Sequence, residues 1–257
     1  EIYTLSLHDA LPICVSELAT KGNGHGDTIV ITLTPASVQE TVDFVLLAYD
    51  LAEKYRHPVL ILSDAAIGQM MEGVVLPEMR EHDIDKFDWT VKGCSNNTVG
   101  KKITNVSYFC EGAYYGYEKI YADKIKLISE NEQRWESVQV EDADIVAVAY
   151  GISSRICKEA VQSARKDGVK LGLIRLKTAT PFPAKAFEHL SDHCKGILLV
   201  EMSISAQLKS DVVVATKGRL PIYAYLSSVD VPESSVTEDI AKKILNDDAE
   251  EVLVYEP

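Results

Sequence analysis

Two short β-branched runs on either side of a helical repeat constrain this chain more than any other feature. Residues 28–33 (TIVITL) form a bounded apolar run and read as a buried strand. Pro35 follows, then Ser37 with Glu40 three places on. This is the Ser-x-x-Glu capping box, which satisfies N–H groups at a helix start and contributes roughly 1 kcal/mol. Val38, Val42, Val45, Leu46, Tyr49 and Ala52 then recur at helical spacing. Pro58 disfavours helix at the residue before it, so the helix is predicted to end near Tyr55. Residues 58–62 (PVLIL) read as the next buried strand, and a strand–helix–strand unit of this kind implies parallel pairing.

A second regular block begins at Ala143. Residues 144–150 (DIVAVAY) read as a strand ended by Gly151, and Ser153 or Ser154 can cap a helix that carries Ile156, Ala160, Val161 and Ala164 on one face. Further strands are predicted at 169–176, 196–202 and 221–226, with a short helix from Pro181 and helices near 208–216 and 236–245. This alternation specifies an α/β fold with open sheets. Residues 73–143 are less regular and rich in tyrosine between Tyr108 and Tyr121, with a charged, helix-like stretch at 114–134. The expectation is two separate, open, parallel-sheet domains at 15–85 and 143–257, joined by a linker and packing helix at 86–142. Residues 1–14 start with Glu1 rather than Met and have no convincing connection to the residues after them, so they are expected to be a non-native leader.

Composition narrows the function classes. The 257 residues are 46% hydrophobic and 25% charged, so a sizeable core can form. A net charge of −13 argues against nucleic acid or an anionic membrane as partner, since both require Lys/Arg patches. There is no apolar run of the roughly 18 residues a membrane span needs, and a cytoplasmic location is expected. The five cysteines, Cys14, Cys94, Cys110, Cys157 and Cys194, are scattered without a C-x-x-C. They read as free thiols in a reducing compartment, and the chain offers no iron–sulfur or zinc-ribbon ligand set. His189, His193 and Cys194 form an H-x-x-x-H-C string, but with no matching carboxylate it reads as a solvated helix end, and no metal site is expected.

Three motifs could carry chemistry. Lys21, Gly22, Gly24, His25, Gly26 and Asp27 form a Gly-rich loop that lets backbone approach a ligand, with a proton-carrying His and a cation; a flexible surface loop with a solvated His is the alternative. Residues 149–154 form a strand–Gly–helix turn that can bind an anion. That turn lacks the G-x-G-x-x-G spacing, and Leu176 and Lys177 stand where a ribose-binding acid would close the next strand, which argues against NAD. Residues 64–72 (DAAIGQMME) follow the second strand, where α/β sheets place ligands; Ile67, Met70 and Met71 could equally be core plugs around a Gly68 turn.

The strings TKGNGHGD, TPASVQETVD, LAEKYRHPVLILSD and IGQMMEGVVLPE, followed by ADIVAVAYGISSRICKEAV, GLIRLKTATPFP and LLVEM, occur in one order from about residue 19 onward. Together they resemble the alpha-type subunit of 2-oxoacid:ferredoxin oxidoreductases, most nearly the 2-oxoisovalerate (branched-chain) members. The resemblance implies the remnant of a thiamine-pyrimidine-type domain followed by a transketolase C-terminal-like domain, in an N-terminally truncated chain inactive alone. It implies thiamine diphosphate shared with a beta subunit that holds the diphosphate and Mg2+, a gamma subunit, and a ferredoxin-like delta subunit with [4Fe–4S] clusters. The implied reaction converts a 2-oxoacid and coenzyme A to acyl-CoA and CO2 while reducing ferredoxin. His25 and Lys21 then become the catalytic candidates, with Gly22, Gly24, Gly26 and Asp27 against the cofactor; the cofactor-activating glutamate is expected upstream of this sequence. A beta-type chain of a lipoamide-linked 2-oxoacid dehydrogenase and a non-catalytic assembly module are the alternatives.

Overall fold

The computed structural model describes residues 29–79, 83, 85–87, 89–90, 113–228, 230–248 and 252–254. Residues 1–14 and the loop from Lys21 to Asp27 therefore lie outside the described residues. The chain divides into two compact units, Glu1–Val75 with Ile128–Pro257, and Leu76–Leu127. Within the smaller unit, Phe87 stacks on Trp89 with ring centroids 5.4 Å apart.

In the larger unit, strand β1 (Ile31–Leu33) leads through the Thr34–Ser37 turn into helix α1 (Val38–Tyr55), which returns to strand β2 (Val59–Ile61). The Ser37 half of the predicted capping box is present, with the Glu40 N–H donating to Ser37 Oγ at 3.1 Å, whereas Glu40 Oε2 accepts from Ala36 N at 2.8 Å, one residue before the N-cap. The helix stops where expected, with Arg56 in the left-handed region at φ 45° and Pro58 beyond it. The buried stripe differs from the predicted one. Phe44, Leu51 and Tyr55, with Leu47 and Ala48 beside them, pack on Ile31, Leu33 and Ile128, whereas Val45 and Tyr49 are 42% and 68% exposed. The helix carries apolar residues on two faces, and the sheet covers only one of them.

β1 pairs in parallel with β2 and antiparallel with β6 (Thr178–Thr180), giving the order β2-β1-β6. The second sheet has the order β3-β5-β4-β7-β8-β9, built from Trp135–Val138, Leu171–Leu176, Ile145–Ala149, Gly196–Glu201, Ile222–Leu226 and Val252–Val254. All pairings in it are parallel except β3 with β5. The α/β class with largely parallel sheets stands, with two changes to the expected layout. β3 occupies part of the segment read as linker and packing helix, and β6 takes a piece of the second block into the first sheet.

Every residue of β4 is fully buried, as expected for a central parallel strand covered on both faces. Helices α4 (Gly151–Lys166) and α6 (Ser234–Leu245) bury Cys157, Ala160, Val161, Ile240 and Ile244 against one face. Helix α5 (Lys209–Thr216) and the 3-10 turn Ala184–Phe187 cover the other through Val212 and Phe187. Short helix α2 (Ala65–Gln69) follows β2, and α3 (Ala113–Asn131) precedes β3. Among the described residues no helix is long and apolar enough to cross a membrane.

Candidate functional site

The turns that leave the carboxyl ends of β1, β2 and β4 converge, which is where open α/β sheets build their sites. Asp64 stands just after β2. Its Oδ1 accepts from Ile67 N at 2.8 Å and caps α2, while its Oδ2 accepts from Ile152 N at 2.8 Å in the first turn of α4. Gly151 makes this approach possible. Its φ is +55°, and a Cβ added there would lie 2.5 Å from Asp64 Oδ2. Glu72 repeats the arrangement at the other long helix: Oε2 accepts from Val38 N of α1 at 3.1 Å, and Oε1 accepts from Arg155 of α4 at 2.8 Å. The Arg155 and Val38 donors hold the Glu72 carboxyl below its usual range. The N-termini of α1 and α4, which favour negative charge, thus each receive a carboxylate from the segment after β2. Two of the three sequence motifs are brought together here, and the anion at the strand–Gly–helix turn is the chain's own Asp64.

Beside this junction Arg175 sits inside β5 with its side chain only 7% exposed. It donates to Glu40 of α1 and, at 3.1 Å, to Glu136 of β3. Lys158 of α4 pairs with Glu136 at 2.7 Å, and Lys177 lies 3.7 Å from Glu40. Burial acts to raise the Glu136 carboxyl, but Lys158 and Arg175 outweigh it and hold it below the ordinary range. A cleft of about 480 Å³ opens along this network, lined in part by Ser37, Gln39, Asp43, Ser154, Arg155 and Lys158. Its charges are largely matched internally, so the arrangement fixes geometry rather than presenting a nucleophile.

The second sheet has its own ligand-type position. The chain runs from β4 to β5 on one side and to β7 on the other, so the strand order switches between β4 and β7. Glu201 closes β7 at this point and is 1% exposed. It accepts from Gln207 N and Leu208 N, both at 3.2 Å, immediately before α5. Burial pushes its carboxyl up to about 7, against the pull of those N–H groups and of Ser203. Through these two contacts it organises the 203–208 turn.

None of the predicted catalytic or cofactor residues, His25, Lys21, Gly22, Gly24, Gly26 and Asp27, falls among the described residues. The H-x-x-x-H-C string is not helical: His189 and His193 are exposed in turns, and Cys194 is buried. Among the described residues no group of His, Cys, Asp and Glu could hold a metal ion. Burial pushes the Cys157 thiol up to about 12, which keeps it protonated and unreactive. Asp64 lies inside a motif that the sequence singles out, but sequence reasoning missed the roles of Arg175 and Glu201. A charged residue inside an otherwise apolar strand run, as in LGLIRL and GILLVE, was the available signal.

Two family models match in succession: "Pyruvate flavodoxin/ferredoxin oxidoreductase, thiamine diP-bdg" over residues 11–107, and "Pyruvate:ferredoxin oxidoreductase core domain II" over residues 143–238. Among curated proteins, the chain is 42% identical over 200 residues to ketoisovalerate oxidoreductase subunit VorB of Methanothermobacter marburgensis, covering 77% of this chain and 56% of that protein. It is 30% identical over 211 residues to 2-oxoglutarate synthase subunit KorA of the same organism, covering 73% of this chain and 56% of the relative. The chain thus spans about half the length of the curated relatives it matches. Among solved structures, 2-oxoglutarate:ferredoxin oxidoreductase from Magnetococcus marinus shares the fold, with a TM-score of 0.68 and 18% identity over 89% of this chain and 44% of that one. From the two successive domain matches and the curated relatives, the chain belongs to the family of 2-oxoacid:ferredoxin oxidoreductase subunits.

Proposed function

We propose that this chain is the alpha-type subunit of a thiamine-diphosphate-dependent complex that oxidatively decarboxylates a branched-chain 2-oxoacid with coenzyme A, in the cytoplasm. The carboxylate leaves as CO2, the acyl group passes to the coenzyme A sulfur, and the electron pair goes to ferredoxin. The observation that carries the reading is the 42% identity to a ketoisovalerate oxidoreductase subunit, against 30% for a 2-oxoglutarate synthase subunit. The thiamine-type segment precedes core domain II in this chain, and the strands described from both lie in one compact unit.

Bound thiamine diphosphate supplies the carbanion chemistry, and the protein supplies orientation and electrostatics. His25 and Lys21 would stabilise charge on the substrate side, with the glycines 22, 24 and 26 and Asp27 lining the cofactor. A beta subunit would hold the diphosphate and Mg2+, and gamma and ferredoxin-like delta subunits would complete the complex, the delta subunit carrying the [4Fe–4S] clusters. The test is to reconstitute the full-length subunit with its neighbouring-gene partners and follow coenzyme-A-dependent dye reduction with 3-methyl-2-oxobutanoate, 2-oxoglutarate and pyruvate. Fastest reduction with the branched acid is expected. No reduction with any of them, or a requirement for a lipoyl protein, would reject the reading.

A further inference from the structure

Two domains matched by separate family models would ordinarily be free to move, because interdomain interfaces resemble transient contacts. The carboxyl end of β2 argues otherwise here. Asp64 uses both oxygens, one on α2 and one on the first turn of α4, 88 residues later in the chain. Gly151 has a backbone conformation and an empty Cβ position that accommodate that carboxylate. Eight residues past Asp64, Glu72 ties the same segment to α1 and α4 through Val38 N and Arg155. Thr34, at the end of β1, donates from Oγ1 to Leu176 O at 2.9 Å and from N to Lys177 O at 2.9 Å. The strand ends of the first sheet are therefore attached to the second block at independent points, and both sheets belong to one compact unit.

We propose that Asp64 is a positioning residue: paired with Gly151, it latches the strand ends of the thiamine-type segment onto core domain II, so that this subunit presents its part of the reaction site as one preset body. The effect on turnover rests on the function proposed above; the latch itself does not. A residue on a segment continuous with β1 or β2, such as the candidate residues 21–27 that lead into β1 in sequence, inherits its position from where these strands are fixed, and a displacement of about 1 Å in such a frame can cost on the order of 100-fold in rate.

The test uses the assembled complex carrying Asp64→Asn, Asp64→Ala, Gly151→Ala, or Asp64→Ala with Gly151→Ala, at a temperature where each variant stays assembled. Asn offers one acceptor and one donor, so one of the two helix N-termini must lose its partner. Amide exchange at Ile67 or Ile152 should rise about tenfold or more in Asp64→Asn. Gly151→Ala should disturb the same amides more in the wild-type background than after Asp64→Ala, where the clashing carboxylate is gone and only the strain of the positive φ remains. Turnover per assembled complex should fall about 10- to 100-fold with KM nearly unchanged, whereas a merely stabilising contact would leave both constants alone. Unchanged amide exchange in Asp64→Asn, or a Gly151→Ala effect identical in both backgrounds, overturns the latch. Faster exchange with unaltered turnover overturns the positioning role. If the unmodified complex shows no 2-oxoacid-dependent turnover, the proposed function fails while the exchange measurements still decide the latch.

Discussion

Arg175 and Glu40 are joined by an ion pair that connects the carboxyl-terminal end of β5 to the first turn of α1, and Glu40 at the same time accepts from Ala36 N just ahead of that helix. One side chain thus sets the start of a helix in one sheet layer and neutralises a buried cation in the other. Arg175 also reaches Glu136 on the antiparallel edge strand β3, so the guanidinium fixes three elements relative to one another. A planar fork with several donors suits this task in a way that a lysine ammonium does not.

Arg175→Leu should therefore be strongly destabilising, because it strands the partly buried carboxylates of Glu40 and Glu136. Breaking a buried pair from one side costs about 3–5 kcal/mol, and the low end applies here because Lys177 and Lys158 remain beside those acids. Urea denaturation should show a clear drop in midpoint without a change in slope. Arg175→Lys should recover only part of the loss. A leucine variant within about 0.5 kcal/mol of wild type, the range of ordinary surface substitutions, would contradict the role given to this network.

Glu201 makes stability depend on pH in a defined direction. Its carboxyl is raised from 4.5 to about 7 on folding, chiefly by burial, so the folded state favours the protonated form. The resulting stabilisation is fully present below the unfolded value and is lost as pH rises through about 7. Acids held low, such as Glu132 and Glu136, act in the opposite sense, so the readout is the difference between wild type and Glu201→Gln. Between about pH 5 and 8 wild type should lose about 2–3 kcal/mol relative to the variant. Parallel stability curves for the two proteins would show that Glu201 does not titrate in this window.

The buried thiols should be silent in the native protein. Cys157 is fully buried with its thiol pushed up to about 12, and burial raises Cys194 as well. Mass-mapped alkylation at about pH 8 should leave both unmodified until denaturant is added. Rapid native labelling of Cys157 would mean that α4 opens locally far more often than its packing implies.

His25→Ala, built into the full-length subunit of the assembled complex, tests the Gly-rich loop. Loss of a group that stabilises transition-state charge typically costs about 10²–10³ in turnover, so a fall of that order is expected with assembly intact. Near-normal turnover would mark the loop as a connector.

Short-range pattern was enough to specify many of the local elements and the family, but not β3 or β6. The cap that Ser37 makes on Glu40 N, the stop at Pro58 and the apolar runs of β4, β5, β7 and β8 depend on interactions within a few residues, and those are written into the amino-acid order. The same pattern did not reveal which face of α1 is buried, because Val45 and the largely apolar Tyr49 recur at helical spacing as Phe44 and Leu51 do, and only the packing partners distinguish them. Nor could it show that β6 joins β1, that Asp64 reaches the first turn of α4, or that Arg175 finds Glu40. Those partners lie from 88 to about 150 residues apart in the chain, and their pairing is set by how the sheets close on each other rather than by any local preference. Glu201 illustrates the same division: its presence at the end of an apolar strand was legible, but the burial that pushes its carboxyl up to about 7, against the pull of the facing N–H groups of Gln207 and Leu208, exists only once the turn has folded back over β7.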